Sequence, residues 1–217
     1  MNNILAISTS GPQPSAALLQ EGRLAGQAQG AAGKAHSETL MCLVEETLQE
    51  AALSVSQIDV FAVDIGPGSF TGVRIGVCAA NALAMAWGRP VIGVSSLEAL
   101  TLGLQGNVCA LLDCRNGNGY ALLLQDGKKT LPESAVVIQS LLPELPSKTT
   151  FVGDGALLHE AEIRSALPNA AFAADHMVSA VKIGMCALGK SGGKEAMPLY
   201  LRPSQAERLR GQQEVNG

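Results

Sequence analysis

The chain has 217 residues, 47% of them hydrophobic and 16% charged, with 24 glycines and few aromatics. That length can bury one large core or two small ones, and a chain rich in Ala, Leu and Val suits an α/β protein. A formal net charge of -4 and a pI near 5.4 argue against an autonomous nucleic-acid binder, because neutralising phosphates takes clustered Lys and Arg.

The chain opens on Met1-Asn2-Asn3 and passes straight into Ile4-Leu5-Ala6-Ile7, a short buried strand that ends at the polar turn Ser8-Thr9-Ser10-Gly11. No basic leader with a hydrophobic core is expected, nor an apolar run that reaches the ~18 residues of a membrane span. Ser15-Ala16-Ala17-Leu18-Leu19-Gln20, the turn Glu21-Gly22 and Arg23-Leu24-Ala25 predict a hairpin. A helix is predicted over 37–52, capped by Ser37, with Leu40, Val44, Leu48 and Ala51 on one stripe. His36 just before it reads as a surface or capping residue, since no second ligand stands at metal-site spacing.

Val60-Phe61-Ala62-Val63-Asp64-Ile65 reads as a buried strand. Gly66-Pro67-Gly68-Ser69-Phe70-Thr71-Gly72-Val73-Arg74-Ile75-Gly76 follows it into an alanine-rich helix. The glycines permit positive φ and close approach, Pro67 fixes one φ, and Thr71 is the predicted N-cap. The segment fits neither the dinucleotide fingerprint nor the Walker phosphate loop. Ser69 lacks the glycine two residues on that marks a nucleophile elbow, so a peptidase is the weakest reading. From 73 to 87 the strongly polar residues are Arg74 and Asn81, seven apart on nearly one face. A helix apolar nearly all round needs burial on its far side too, and another protein is the simplest source. Arg74 sits where the helix dipole disfavours a cation, so Asp64 or a partner carboxylate is expected to compensate it.

Val91-Ile92-Gly93-Val94 predicts another strand and Ser95-Ser96-Leu97-Glu98 a helix start, giving the order βββαβαβα. After residue 104 the pattern restarts. Residues 16–23 resemble 121–128 at an offset of 105, which also lays Ala6-Ile7-Ser8 on Leu111-Leu112-Asp113. We read this as a duplicated half-domain. Subdomains over 1–104 and 105–203 and a flexible tail over 204–217 follow. The second half is expected to hold a Pro-punctuated helical region through Pro143, a strand at 150–153, helices near 157–166 and 178–190, and an extended run over 198–203. The cysteines, Cys42, Cys78, Cys109, Cys114 and Cys186, are odd in number, lack C-x-x-C spacing and read as reduced core residues of a cytoplasmic protein.

Two facing βββαβα (ribonuclease-H-like) halves form the architecture of the actin-like ATPase and sugar-kinase superfamily, in which an Asp ends the first strand and ATP lies between the halves. Here Ser8 stands in that place, and a hydroxyl lacks the hard anionic oxygen Mg2+ favours. Asp113, at the corresponding place in the second half, reads as a strand-end residue. Ser8, Asp113 and Arg115 are the candidate cleft residues, with no catalytic and no metal-ligating residue assigned.

The chain resembles the TsaB (YeaZ) family, a subunit of the machinery that makes threonylcarbamoyladenosine on tRNA. The resemblance rests on the opening strand with Ser8-Thr9-Ser10, on His36-Ser37-Glu38-Thr39-Leu40, on the glycine segment, on Gly93 to Glu98, on Asp113, Arg115 and Tyr120, and on Pro198 to Arg202. Ser8 departs from the family's usual Asp. The resemblance implies a non-catalytic subunit that pairs with a TsaD-like catalytic chain, with a TsaE-like ATPase joining. ATP/ADP and metal would then sit on the partners, and tRNA would be met only through the complex. It also implies that the helices after His36 and after the glycine loop form the docking surface, shared with a homodimer. That surface would take His36, Leu40, Met41 and Val44 from the first helix. From the loop it would take Gly66, Pro67, Gly68 and Ser69, and from the second helix Phe70, Thr71, Arg74, Ile75, Cys78, Ala79, Ala82 and Met85. The alternative is a stand-alone ATP-dependent kinase or ATPase using the cleft.

Overall fold

The computed structural model describes residues 3–33 and 35–202, so the tail assigned to 204–217 lies outside the described residues. Alternating apolar runs and glycine turns produce β1 (Asn3–Ser8), β2 (Ser15–Gln20) and β3 (Arg23–Gln29) as a meander. Helix α1 (His36–Glu50), β4 (Val60–Asp64), α2 (Phe70–Trp87), β5 (Val91–Val94) and α3 (Ser96–Leu100) complete the first half. The second half runs β6 (Asn107–Asp113), β7 (Asn118–Gln125), β8 (Lys128–Val137), α4 (Ile138–Leu141), β9 (Thr150–Val152), α5 (Asp154–Leu158), α6 (Glu160–Ala166), β10 (Ala171–Phe172) and α7 (Ala180–Ala187).

The sheets have orders β3-β2-β1-β4-β5 and β8-β7-β6-β9-β10, one topology used twice. Even the hairpin turns match: Glu21-Gly22 has φ of 52° and 77°, Asp126-Gly127 49° and 77°. The fold is thus the duplicated actin-like arrangement. Leu5, Ile7, Leu18, Phe61 and Val63 pack beneath α1 and α2, and Cys109, Leu111, Phe151 and Ile163 form the equivalent core of the second half. Full burial of each such leucine or phenylalanine contributes about 1.5–3 kcal/mol.

The inner faces are covered by exchange. Ala180, Ile183 and Ala187 of α7 pack on Ile4, Ala6 and Leu19 of the first sheet, while Leu97 and Leu100 of α3 pack with Val108, Ala110 and Leu122 of the second. One sheet is built from strands between residues 3 and 94 and the other from strands between 107 and 172, but each half lends the other a helix. Opening the cleft by separating the halves would expose both faces.

Several expectations are corrected. Helix α1 begins at His36 with Ala35 in the cap position, and Ser37 caps nothing. Residues 128–137 are strand rather than helix; Pro132 is tolerated because β8 is an edge strand that need not donate on its outer side. The helix expected over 157–166 is two, meeting at His159. Of the cysteines only Cys109 is buried, and burial pushes its thiol up to about 12; Cys42 and Cys78 are exposed. Helix α2 does have the length and mean hydropathy, 1.2, of a membrane-crossing helix, although Val73, Val77, Ala80 and Ala84 lie on the sheet.

The repeat also slips. Leu19 and Leu124 keep the offset of 105, but Leu19 pairs with Ile4 and Leu124 with Val108, and the core faces agree, Ile4 and Ala6 lying under α7 as Val108 and Ala110 lie under α3. The first strands are therefore related by 104, and Asp113 corresponds to Thr9, not Ser8. A one-residue slip reverses the face of every side chain, so Asp113 is not the duplicate of the strand-end position that Ser8 occupies.

Candidate functional site

The glycine segment links β4 to α2 and is shaped by what presses on it. Gly66 takes φ of 90° and its bond to Pro67 is cis. Ser69, not Thr71, caps α2, its Oγ accepting the Gly72 amide at 3.2 Å. Thr71 falls within the first turn. The Ser69 amide donates to the Ser10 carbonyl at 2.8 Å, and Thr9 Oγ1 donates to the Gly72 carbonyl at 2.7 Å. A Cβ on Gly68 would stand 2.7 Å from the Ser10 oxygen, and one on Gly72 would overlap the Thr9 carbonyl oxygen. The loop after β1 is thus seated directly on the start of α2.

Beneath this seat lies Asp64, fully buried at the end of β4. Its carboxylate accepts from the Ser8 hydroxyl at 2.8 Å, the Gly66 amide at 2.9 Å, and the hydroxyls of Ser10 and Ser96. Burial raises its pKa above the usual carboxylate range, the hydrogen bonds opposing that rise. One side chain ties together the ends of β1, β4 and β5, and it does not compensate Arg74 as expected.

Between the halves opens a cleft of about 530 Å³, lined on the first half by Ser10, His36, Pro67, Gly68 and Ser69, and on the second by Asp113, Arg115, Asp154 and His176. Asp113 and Arg115 therefore reach the cleft, whereas Ser8 is buried below it, hydrogen-bonded to Asp64. Asp113 Oδ1 lies 3.4 Å from His159 Nε2, Oδ2 accepts the Arg115 amide at 3.1 Å, and Asp154 accepts the Asp113 amide at 3.0 Å. His176 Nδ1 accepts the Gly153 amide at 3.1 Å. Asp154 and His176 were missed from sequence, where each stands isolated in a loop or helix start with no motif around it. Among the described residues, the cleft's carboxylates come from the second half alone.

On the far side of α2, away from the sheet, Phe70, Cys78, Ala82, Met85 (80% exposed) and Trp87 face outward. Residues 196–200 run along this helix as a strap. Asn81 exchanges two 2.9 Å hydrogen bonds with the Ala196 backbone, the Leu199 amide donates to Ile65 at 2.8 Å, and the Tyr200 hydroxyl accepts from Arg74 Nε at 2.7 Å.

Comparison with known proteins bears on this arrangement. The family model for TsaD, tRNA N6-adenosine threonylcarbamoyltransferase, matches residues 28–188. The tRNA threonylcarbamoyladenosine biosynthesis protein TsaB of Bacillus subtilis is 33% identical, over 94% of this chain and 96% of its own. The chain belongs to the TsaB (YeaZ) family. A crystal structure from Pseudomonas aeruginosa, described as similar to peptidase YeaZ, superposes with a TM-score of 0.80 at 29% identity, covering 93% of this chain and all of that one. The ethanolamine utilization protein EutJ of Carboxydothermus hydrogenoformans, 12% identical with a TM-score of 0.52 over 85% of this chain and 90% of its own, shares the fold.

For this TsaB-family chain the residues named for docking divide into two groups. Leu40 (2% exposed), Val44, Gly66 and Pro67 are buried within the chain's own core or loop seat and offer a partner no surface. Met41 (50%), Gly68, Ser69, Phe70, Thr71, Arg74, Cys78, Ala82 and Met85 are exposed, and His36, Ile75 and Ala79 are half-buried. The strap residues Met197 and Tyr200, both exposed beside or beyond α2, had no place in the sequence reading.

Proposed function

We propose that this TsaB-family chain is a non-catalytic subunit that supports threonylcarbamoyl transfer to tRNA adenosine by docking the outer flank of α2 onto a related, TsaD-like catalytic chain. The observation that carries the reading is that flank: an 18-residue helix whose charged side chains amount to Arg74 alone, with Met85, Cys78 and Ala82 turned outward. Exposed apolar patches of this kind mark interaction sites. A TsaE-like ATPase joins the assembly, a homodimer through the same helices is the form without a partner, and tRNA is met in the cytoplasm through the complex.

The first-half wall of the cleft does not suit a metal-nucleotide, and the carboxylates of the other wall, Asp113 and Asp154, each accept a backbone amide. The first-half strand end offers Ser8, which is buried and committed to Asp64, and Asp64 itself is roofed by three serines and Gly66. A hard cation prefers anionic oxygens, so ATP/ADP and metal are assigned to the partner subunits and no chemical step is placed on this chain.

Ala82→Glu tests the reading. Burying an unpaired carboxylate in an interface costs several kcal/mol, so binding to the TsaD-like chain, measured by titration calorimetry, should weaken by roughly thirtyfold or more. The melting temperature of the isolated variant should stay near that of the parent, because an exposed substitution falls within about 0.5 kcal/mol. Undiminished association of Ala82→Glu and Met85→Glu would remove the proposal.

A further inference from the structure

Arg74 is the single charged residue of α2, and among the described residues no carboxylate lies within 4 Å of it. With Ser69 as the cap it is the fifth residue of the helix, past the first turn, and two aromatic rings hold its side chain. The guanidinium carbon lies 3.9 Å from the centre of the Phe70 ring and 5.6 Å from that of Tyr200. The two rings are 5.2 Å apart. Nε is spent on the Tyr200 hydroxyl, and among the described residues neither terminal nitrogen has a hydrogen-bond partner. With its carbon over the Phe70 ring and Nε bonded to Tyr200, the guanidinium keeps its terminal pair for a partner, a fork that fits the two oxygens of one carboxylate.

Resting on the reading that α2 is the docking flank, we propose that Arg74 is the anchor for an Asp or Glu side chain of the docked protein. Tyr200 of the strap is the positioning residue that aims it. The surroundings select a protein carboxylate over nucleic-acid phosphates. Phosphate recognition by RNA binders gathers several cations, whereas Arg74 is the one Lys or Arg that α1 and α2 carry between them, bordered by Phe70, Ile75 and Cys78. The neighbouring α1 exposes Glu38, Glu45, Glu46 and Glu50 and carries no Lys or Arg. The two helices together carry four exposed carboxylates against one cation, a balance that repels a polyanion. Aromatic residues and arginine are also the residue types that dominate interface energetics when packed together and shielded from water.

The test measures the affinity of the complex with the TsaD-like chain at low and high salt for the parent, Arg74→Gln, Tyr200→Phe and Ala82→Glu. Arg74→Gln is expected to loosen the complex roughly thirtyfold, mainly through faster dissociation, and to flatten its salt dependence. Tyr200→Phe keeps the ring but drops the hydrogen bond, and is expected to cost about fivefold with the salt dependence retained. Both variants should melt as the parent does. If Ala82→Glu dissociates the complex while Arg74→Gln changes neither affinity nor salt dependence, the anchor is overturned and the docking flank stands. If neither change weakens association, the docking flank falls and the anchor with it. If Arg74→Gln instead reduces tRNA binding by the isolated chain and spares the protein complex, the residue belongs to a phosphate site and the proposal is refuted.

Discussion

Gly72→Ala is expected to destabilise the protein by about 3 kcal/mol or more, at the upper end of what overpacking does, lowering the melting temperature by roughly 10 °C in a chain of this size. An added methyl at Gly72 overlaps the carbonyl oxygen of Thr9. That oxygen has little room to retreat, because Thr9 Oγ1 is bonded to the Gly72 carbonyl and the adjoining Ser10 carbonyl receives the Ser69 amide. Gly76 meets the same residue differently: a methyl there overlaps the Thr9 side-chain Oγ1, its remaining neighbours being 3.6 Å away. Thermal melts of five variants, the three single changes and the two doubles with Thr9→Ala, separate the two cases. Thr9→Ala should recover most of the loss in Gly76→Ala, since it deletes the obstructing atom, and should recover none of the loss in Gly72→Ala, where backbone is in the way. Equal recovery in both would mean that helix and loop are not seated as described.

This pair also marks what the sequence conveyed. The glycine run was legible as a place of free φ, which applies to Gly66, and of close approach, but not what approaches. Gly68, Gly72 and Gly76 are small because another segment lies on them, and that segment is some 60 residues away in the chain. The same division runs through the molecule. Hydrophobic periodicity predicted β1 to β5, α1 and α2, since each signal lies within one element. The apolar flank of α2 was readable because composition alone leaves no polar side. The strap was not, since Asn81 to Ala196 and Arg74 to Tyr200 span 115 and 126 residues and leave no local pattern.

Errors arose where one signal had two readings. Pro132 was taken to punctuate helices, yet an edge strand tolerates proline equally well. Repeated residues in the β2 and β7 hairpins fixed an offset that the preceding strands do not share, and the cleft pairing of Ser8 with Asp113 inherited the error. Asp64 was offered to Arg74 for its charge and nearness in sequence. In the fold it points into the sheet end, where Ser8, Ser10 and Ser96 converge from three separate segments, and a tyrosine and a phenylalanine hold Arg74 instead. The exchange of α3 and α7 between the halves left no trace in periodicity, because a helix pattern records that one face is covered and not by which sheet.

Asp64→Leu is expected to cost about 4 kcal/mol or more, read from the shift of the urea midpoint at constant slope. The change removes the common acceptor of three hydroxyls and the Gly66 amide. Each buried donor left unpaired costs about 1–3 kcal/mol. The hydroxyls can turn toward one another, as Ser96 and Ser10 already stand 3.3 Å apart, but the amide cannot turn. Asp64→Asn keeps the shape and an acceptor oxygen, while its amide nitrogen donates to a serine that rotates to receive it, so most of the stability should remain. The two carboxyl states then separate by pH. Burial raises the folded-state pKa of Asp64 above its unfolded value, so the fold favours the protonated form. Its contribution is fully present below the unfolded pKa and is lost as pH rises through the folded one. The stability of Asp64→Asn relative to the parent should therefore improve as pH climbs from about 4, then level off once the parent carboxyl has ionised. A difference that stays constant from acid to neutral pH would show that the serine cage offsets the burial of the charge in full. A difference moving the other way would show that the cage holds the carboxylate below its ordinary range.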